Sequence, residues 1–282
     1  MALTFRPLTK TIGAEVSGVE LSRPVSDVDF DAIHAAWLDH TVLLFRGQGD
    51  VTAAQQVAFT RRFGTLEMHT LPEFTLPEQP EVFVVSNVVE DGRAIGAGRS
   101  GRHWHSDSQF LPVPSAGSLL LAREVPPEEG DTLFANLVAA YDALSEATKQ
   151  RIDCLKTLCS RIRAWPISYP DRPPLSEAQK HDLPDVIHPL VRTHPETGRK
   201  SLYIGGHVVW EIVGMEVEEG RALLDELRTF ATRPEFVYRH RWRTGDAVLW
   251  DNRCTLHRAT PFDEDRYRRV MHRTTVVGAC PV

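Results

Sequence analysis

Residues of the types that bind transition metals alternate in Gly101-Arg102-His103-Trp104-His105-Ser106-Asp107. On an extended backbone side chains repeat every two positions, so His103, His105 and Asp107 would share one face. Two imidazoles and one carboxylate form a facial ligand set that leaves coordination positions open, which suits Fe(II) holding a co-substrate and O2. His-x-Asp alone is a chance-level pattern in a chain with 12 His, so the rest of the chain must add weight. The stretch GDAVLWDNRCTLHRATPFDEDRYRRVMHR, residues 245–273, supplies His257 as a third ligand candidate after a hydrophobic run and a turn-like Asp251-Asn252. Arg269 and Arg273 follow, and on a strand they share a face with Met271. Two guanidiniums on an inward face need anions. One Arg–carboxylate pair at about 4 Å and a dielectric near 20 is worth about 4 kcal/mol before desolvation. Spacing equally allows both arginines on a solvated strand face beside Glu264 and Asp265.

The elements that must position these groups read as follows. Residues 3–21 form two short strands around Thr11–Gly13, and Ser26 or Asp27 caps a helix with Phe30, Ile33, His34 and Trp37 on one side. TVLLFR, residues 41–46, is a continuous apolar run of strand length, buried on both faces. Thr52 caps a second helix that stops at Gly64. After a Pro-rich irregular stretch, 81–88 is a strand. Residues 91–102, with Gly92, Gly96, Gly98 and Gly101, read as a mobile loop that could close over a site. Strands are expected at 118–125 and 131–136, a helical segment at 137–152, and a strand at 154–164. The stretch 165–186, with five prolines, is expected on the surface. Strands return at 187–194 and 200–204, and a helix spans 216–231. The last third is β, at 236–242, 247–250 and 269–277. The fold class is mainly β with flanking helices, one domain over 1–282, consistent with a barrel or double-sheet roll.

A net charge of −6 and a pI near 6.1 argue against generic nucleic-acid binding. No apolar run approaches 18 residues, and the N-terminus shows no signal peptide, so no membrane partner is expected. Cys154, Cys159, Cys254 and Cys280 show no pairing framework and read as free thiols of a soluble cytoplasmic protein.

Beyond these patterns, HWHSD, GDTLFANLVAAYDAL, VRTHPETGRKSLYIG, WDNRCTLHRA and YRRVMHR resemble the taurine dioxygenase/2,4-dichlorophenoxyacetate dioxygenase family of Fe(II)/2-oxoglutarate enzymes. The likeness runs in order from about Ile12 to Gly278. It implies a double-stranded β-helix (jelly-roll) core and an iron triad on His105, Asp107 and His257. The family ligand is the His two before Asp, which sets His103 aside as a neighbour. It further implies 2-oxoglutarate contacts at Thr132 and Arg269, and an arginine facing the substrate's acidic group at Arg273. His69, in FGTLEMH, falls where taurine enzymes hold the sulfonate, although the flanking loop departs from theirs. His207, in IGGHVV, matches a His of the 2,4-dichlorophenoxyacetate enzymes; it faces substrate or is satisfied by backbone at a strand end. A homodimer or homotetramer is the assembly the family implies.

The implied reaction uses O2 and 2-oxoglutarate, releases succinate and CO2, and hydroxylates a small anionic substrate. SNVVEDG, FVYRHRW and WDNRCTLHRA resemble aryloxyalkanoate dioxygenases more than taurine dioxygenases. An aliphatic sulfonate or alkyl sulfate would satisfy the same arginine. Two other classes stay open: a Zn-dependent hydrolase using the same three ligands, and a non-catalytic jelly-roll binding protein. Elsewhere the simpler readings are structural roles for His103 and His272, and core packing for Trp104 and Trp250. Asp251 and Arg253 read as a surface turn or a brace, and the basic clusters at 61–62 and 239–243 as solvated faces.

Overall fold

The structure, a computed structural model, describes residues 2–98, 101–169 and 172–282. Two sheets carry the site. In chain order their strands are β1 (Thr4–Pro7), β2 (Ala14–Ser17), β3 (Val42–Phe45), β4 (Thr75–Leu76), β5 (Gln79–Ser86), β6 (Ser115–Glu124), β7 (Thr132–Asn136), β8 (Val237–His240), β9 (Ala247–Asp251), β10 (Thr255–Ala259) and β11 (Val270–Val277). The larger sheet runs β1-β2-β3-β9-β6-β11-β5-β4, and the smaller runs β8-β7-β10. Neighbours in both sheets are antiparallel, apart from the parallel pair β2 and β3.

The alternation of side chains along β6 decides what each face meets. Leu120 and Ala122 point inward, where they pack with Phe134 of the smaller sheet and with Val248, Trp250 and Met271. Leu119 and Leu121 point the other way, onto Ile33 and Trp37 of the helix Asp27–His40 and Phe59 of the helix Ala53–Thr60. The central sheet is therefore covered on both faces, which is why β3 is a run of apolar residues rather than an alternating one. The outer face of the smaller sheet, through Ala135 and Leu256, packs on Leu223, Leu224 and Leu227 of the helix Val217–Ala231. Two facing sheets of largely antiparallel strands, wrapped by helices, make the expected jelly-roll core.

Local signals place most boundaries. Ser26 accepts from the Asp29 amide and Thr52 from the Gln55 amide, each as an N-cap. Four expectations need correction. The segment 154–164 is a strand only over Lys156–Cys159. Ser160 then caps the helix Arg161–Ser168, its side chain accepting from the Arg163 amide. The segment 137–152 is two helices, Leu137–Asp142 and Glu146–Ile152, because Ser145 caps the second. The stretch 165–186 contributes Ile167, Ser168 and Tyr169 to a cavity that His105 and Asp107 also line, and is not merely surface. The loop after Asp91 is less free than its glycines suggest. Val89–Glu90 pairs with Arg93–Ala94, and the Ala97 amide donates to Val84 O at 2.9 Å. Its residues 99–100 lie outside the described residues.

Strand β10 has no counterpart in the sequence reading. Its first three residues are all buried, so the polar-apolar alternation that marks a half-exposed strand is missing.

Candidate active site

The metal-ligand candidates come together by backbone pairing. His105 and His257 form an isolated antiparallel bridge between the HWHSD segment and β10. The His105 amide donates to His257 O at 3.0 Å, and the His257 amide donates to His105 O at 2.8 Å. Directly opposed residues of a bridge project to the same side, and the two imidazole centroids lie 4.1 Å apart. Nε2 of each ring is 3.8 Å from Asp107 Oδ1. That is too long for hydrogen bonds and short enough for three donors to share one cation. The ligand atoms of His105, Asp107 and His257 lie within 4.8 Å of one another.

Protonation favours ligation. His105 Nδ1 lies 2.8 Å from the His103 carbonyl, which only accepts, so the proton sits on Nδ1 and Nε2 is bare. Burial lowers both histidine pKa values, His257 the more strongly, with His105 adding to the effect. Burial alone would raise the Asp107 carboxyl. The Arg273 guanidinium, then His257, His105 and the Ser118 hydroxyl, outweigh it and hold the group below the usual carboxylate range. Two neutral nitrogens and one anionic oxygen fit a divalent ion such as Fe(II).

Asp107 is held on every side. Arg273 donates to Oδ1 at 2.9 Å, and Ser118 of β6 donates to Oδ2 at 2.7 Å. Asn252 reads the same residue twice: Nδ2 donates to Oδ2 at 3.3 Å, and Oδ1 accepts from the Asp107 amide at 3.2 Å. Asn252 is fixed in turn by Trp250, whose Nε1 donates to Oδ1 at 2.9 Å, and by Ser118 at 3.0 Å.

A cavity of about 350 Å³ opens on two of the three ligands, and Arg273, His69 and His207 line it with His105 and Asp107. Arg273 turns inward from β11 and Arg269, just before that strand, is buried, so the solvated-face alternative for the two arginines is excluded. His69 stacks on Phe83 at 3.6 Å and accepts the Leu71 amide at Nδ1, so its remaining proton is on Nε2. Burial, with Arg273 and Arg161 adding, pushes His69 down to about 3. His207 is likewise down to about 3, through burial first and then His105, His103 and Arg161. The Ser168 hydroxyl lies 2.6 Å from His207 Nε2. The glycine pair before His207 lets its loop lie against the ligand segment. A Cβ at Gly206 would come within 2.0 Å of Trp104 O, and one at Gly205 within 1.9 Å of the Gln109 side chain. Arg228 clamps this loop by donating to the carbonyls of Ile204, Gly206 and Val209.

Thr132 and Arg269 do not line that cavity. Arg269 lines a smaller one of about 30 Å³, with Ala259, and the two cavities share Arg102. Ala259 pairs in register with Thr132. The Thr132 hydroxyl accepts from Trp242 Nε1 at 2.9 Å. Burial, opposed only in part by Glu264, lowers the Arg269 guanidinium to about 10, so it stays charged at neutral pH. Its Nε has no hydrogen-bond partner among the described residues. A buried cation without a directly bonded carboxylate is what a small dianion would need.

Among the structural readings, Asp251–Arg253 is not a surface turn. Arg253 grips the buried Asp251 carboxylate with Nε and an Nη at 2.9 and 2.6 Å, and His194 Nε2 lies 3.0 Å from the same carboxylate. His103 serves through its carbonyl, and its ring lies 5.0 Å from that of His207. Sequence reasoning missed Ser118, Asn252 and Arg161. Asn252 carried a signal, a polar residue three positions before the ligand-bearing strand, but it read as turn chemistry.

A jelly roll whose facing sheets present a 2-His-1-carboxylate set to an arginine-lined cavity defines the class of non-haem iron, 2-oxoglutarate-dependent oxygenases. Residues 4–275 match the family described as Taurine catabolism dioxygenase TauD, TfdA family, and the chain belongs to it. It is 39% identical to (S)-phenoxypropionate/alpha-ketoglutarate-dioxygenase of Sphingobium herbicidovorans, over 98% of this chain and 96% of the relative. It is 38% identical to alpha-ketoglutarate-dependent 2,4-dichlorophenoxyacetate dioxygenase of Cupriavidus pinatubonensis, over 99% of each. The crystal structure of AAD-2 in complex with Mn(II) and N-oxalylglycine superposes with a TM-score of 0.85 at 37% identity, covering 100% of this chain and 99% of that one. No helix among the described residues is long and apolar enough to cross a membrane.

Proposed function

We propose that the protein is an Fe(II)- and 2-oxoglutarate-dependent dioxygenase that hydroxylates a small organic anion beside a heteroatom, preferring an aryloxyalkanoate. The observation that carries this reading is the meeting of His105, Asp107 and Arg273 with Phe83, Phe110 and Tyr169 around one cavity. Its volume is about 350 Å³, the size of a small-ligand site. A cation beside aromatic walls suits a carboxylate joined to an aryl ring better than an aliphatic sulfonate or alkyl sulfate, the second reading.

His105, Asp107 and His257 would hold the iron, which when bound supplies the activation of O2. Arg269 would hold the distal carboxylate of 2-oxoglutarate, with Thr132 adding a hydroxyl, and so orient the keto acid. Arg273 would face the substrate anion, and His69 offers it a neutral N–H at Nε2. His207, gripped at one nitrogen by Ser168, would wall the substrate side. Hydroxylating the carbon between the ether oxygen and the carboxylate gives a hemiacetal, which collapses to a phenol and an oxo acid. The co-substrate leaves as succinate and CO2. A homodimer or homotetramer in the cytoplasm is part of this proposal.

The test is succinate formation by Fe(II)-loaded protein with 2-oxoglutarate and O2, with and without phenoxyacetates, phenoxypropionates, alkyl sulfonates and alkyl sulfates. Stimulation greatest with the aryloxyalkanoates is expected. No stimulation by any of them defeats the proposal. Turnover without O2 or keto acid would point to a metal hydrolase, a reading that leaves buried Arg269 without a purpose.

A further inference from the structure

The cavity wall carries three arginines besides its ligands, and their partners differ. Arg102 pairs with Glu264. Arg273 pairs with Asp107 at 2.9 Å. Arg161 lines the same cavity and has no carboxylate partner among the described residues. It is nonetheless fixed in place. Its guanidinium carbon lies 4.7 Å from the Phe110 ring centroid, 5.0 Å from Tyr169 and 5.4 Å from Trp165. Stacking on three rings holds the planar fork and restricts its rotamers without consuming its hydrogen-bond donors. None of the other charged groups on the wall is paired directly with it among the described residues. Glu67 is bonded by Ser108 and Ser115 and makes no ion pair with Arg161 among the described residues, and His69 and His207 are neutral.

We propose that Arg161 is a substrate-binding residue that selects for a negatively charged substrate, acting on its anionic group from the wall opposite the larger sheet. Arg273 sits beside the metal ligands and shares its charge with Asp107, so Arg161 adds a second, separate cation for the substrate anion. Arg161 brings a half-buried charge, without an ion-pair partner among the described residues, on a preorganised fork. The rings that hold it also form cavity wall: Phe110 and Tyr169 line the space with it. The site thus offers a carboxylate partner and an aryl partner on adjacent elements, the helix Arg161–Ser168 and the turn at 108–111. The inference deepens the proposed aryloxyalkanoate reading and rests on it for the choice of probe.

The experiment measures binding and turnover separately. Isothermal titration calorimetry, under anaerobic conditions with Fe(II) and 2-oxoglutarate present, gives Kd for phenoxyacetate and for its neutral amide, phenoxyacetamide. The proteins are wild type, Arg161→Gln and Arg161→Lys, each checked for native far-UV circular dichroism. Arg161→Gln is expected to weaken phenoxyacetate by about tenfold to a hundredfold, the size of one charge-assisted hydrogen bond, and phenoxyacetamide by less than about threefold. Arg161→Lys is expected to recover part of the loss, keeping the charge but not the planar stack. Equal weakening of acid and amide, or no weakening of the acid, overturns the assignment. So does a wild type that binds the two probes equally. Wild-type binding of phenoxyacetate that depends on Arg161 but yields no succinate on admitting O2 supports the anion contact while defeating the proposed reaction.

Discussion

Asn252 offers the sharpest perturbation of the site, because its side chain touches the ligand Asp107 without being a ligand itself. Asn252→Ala removes four hydrogen bonds: those to Asp107 Oδ2 at 3.3 Å and Ser118 at 3.0 Å, and those from the Asp107 amide at 3.2 Å and Trp250 Nε1 at 2.9 Å. Ser118 keeps Asp107 as a partner, so two donors, the Asp107 N–H and Trp250 Nε1–H, are left unmatched in a buried setting. At about 1–3 kcal/mol for each orphaned group, the loss of stability is roughly 2–6 kcal/mol, and a water entering the void moves it toward the low end. Asp107 also loses part of its orientation, and losing a group that braces a metal ligand typically costs about 10- to 100-fold in metal affinity. Urea unfolding of the metal-free protein reads the first effect. Mn(II) or Fe(II) titration of the folded variant reads the second. A variant destabilised by less than about 1 kcal/mol, with wild-type metal affinity, refutes the idea that Asn252 positions Asp107.

Three further outcomes follow from the same geometry. Arg253→Met leaves the Asp251 carboxylate, whose side chain is 1% exposed, with His194 as its remaining side-chain partner, and is expected to cost about 3 kcal/mol in urea unfolding; the double variant with Asp251→Asn should recover much of that. Arg269→Ala should raise KM for 2-oxoglutarate at least tenfold with little change for the prime substrate, whereas Arg273→Ala should do the reverse; steady-state kinetics varying each substrate in turn separates them, and identical patterns would show the two roles misassigned. His272 is pushed down to about 4, by burial first and then by Arg123. An unfolded histidine titrates near 6.5, so between about pH 4 and 6.5 the unfolded chain binds the extra proton, and stability is full above that window and falls as pH drops through it, by at most about 1.4 kcal/mol per unit. His272→Gln should flatten the pH dependence of unfolding free energy between pH 6.5 and 4.5, and an unchanged slope rejects the assignment.

The parts of the molecule legible in the sequence are those written in local patterns. The buried run of β3, the caps at Ser26 and Thr52 and the helix Val217–Ala231 need only their own neighbours to be recognised. His105 and Asp107 were visible as an alternating pair, but parity could not separate His103 from His105. That distinction is made by long-range pairing: His105 bridges His257, 152 positions downstream, and His103 turns its carbonyl to His105. Arg161 escaped notice for a similar reason. Its ring partners Phe110, Trp165 and Tyr169 come from two separate segments, and it falls in a stretch that reads as a strand, 154–164, just before the Pro-rich surface segment. Ser118 looked like an ordinary strand residue because its partner comes from another segment.

The four residues Trp250-Asp251-Asn252-Arg253 tie these observations together. Trp250 and Asn252 face the metal side, where Trp250 holds Asn252 and Asn252 braces Asp107. Asp251 and Arg253 face the helix layer, where they pair with each other; Arg253 stacks 4.8 Å from Trp37 and reaches Glu196. A single turn of chain thus carries two buried polar networks, back to back, sharing backbone. The Cys254 amide and the Thr255 hydroxyl both donate to Asp251 O, so the turn also sets where β10 starts, and β10 carries His257. Loosening the helix-side network should then be felt at the metal side. Residues in contact or on shared backbone couple by about 0.5–3 kcal/mol, so Arg253→Met and Asn252→Ala should be non-additive in a double-mutant cycle read by metal affinity. Strict additivity, within about 0.3 kcal/mol, would mean that the two networks are independent and that Asp107 is positioned by Asn252, Ser118 and Arg273 alone.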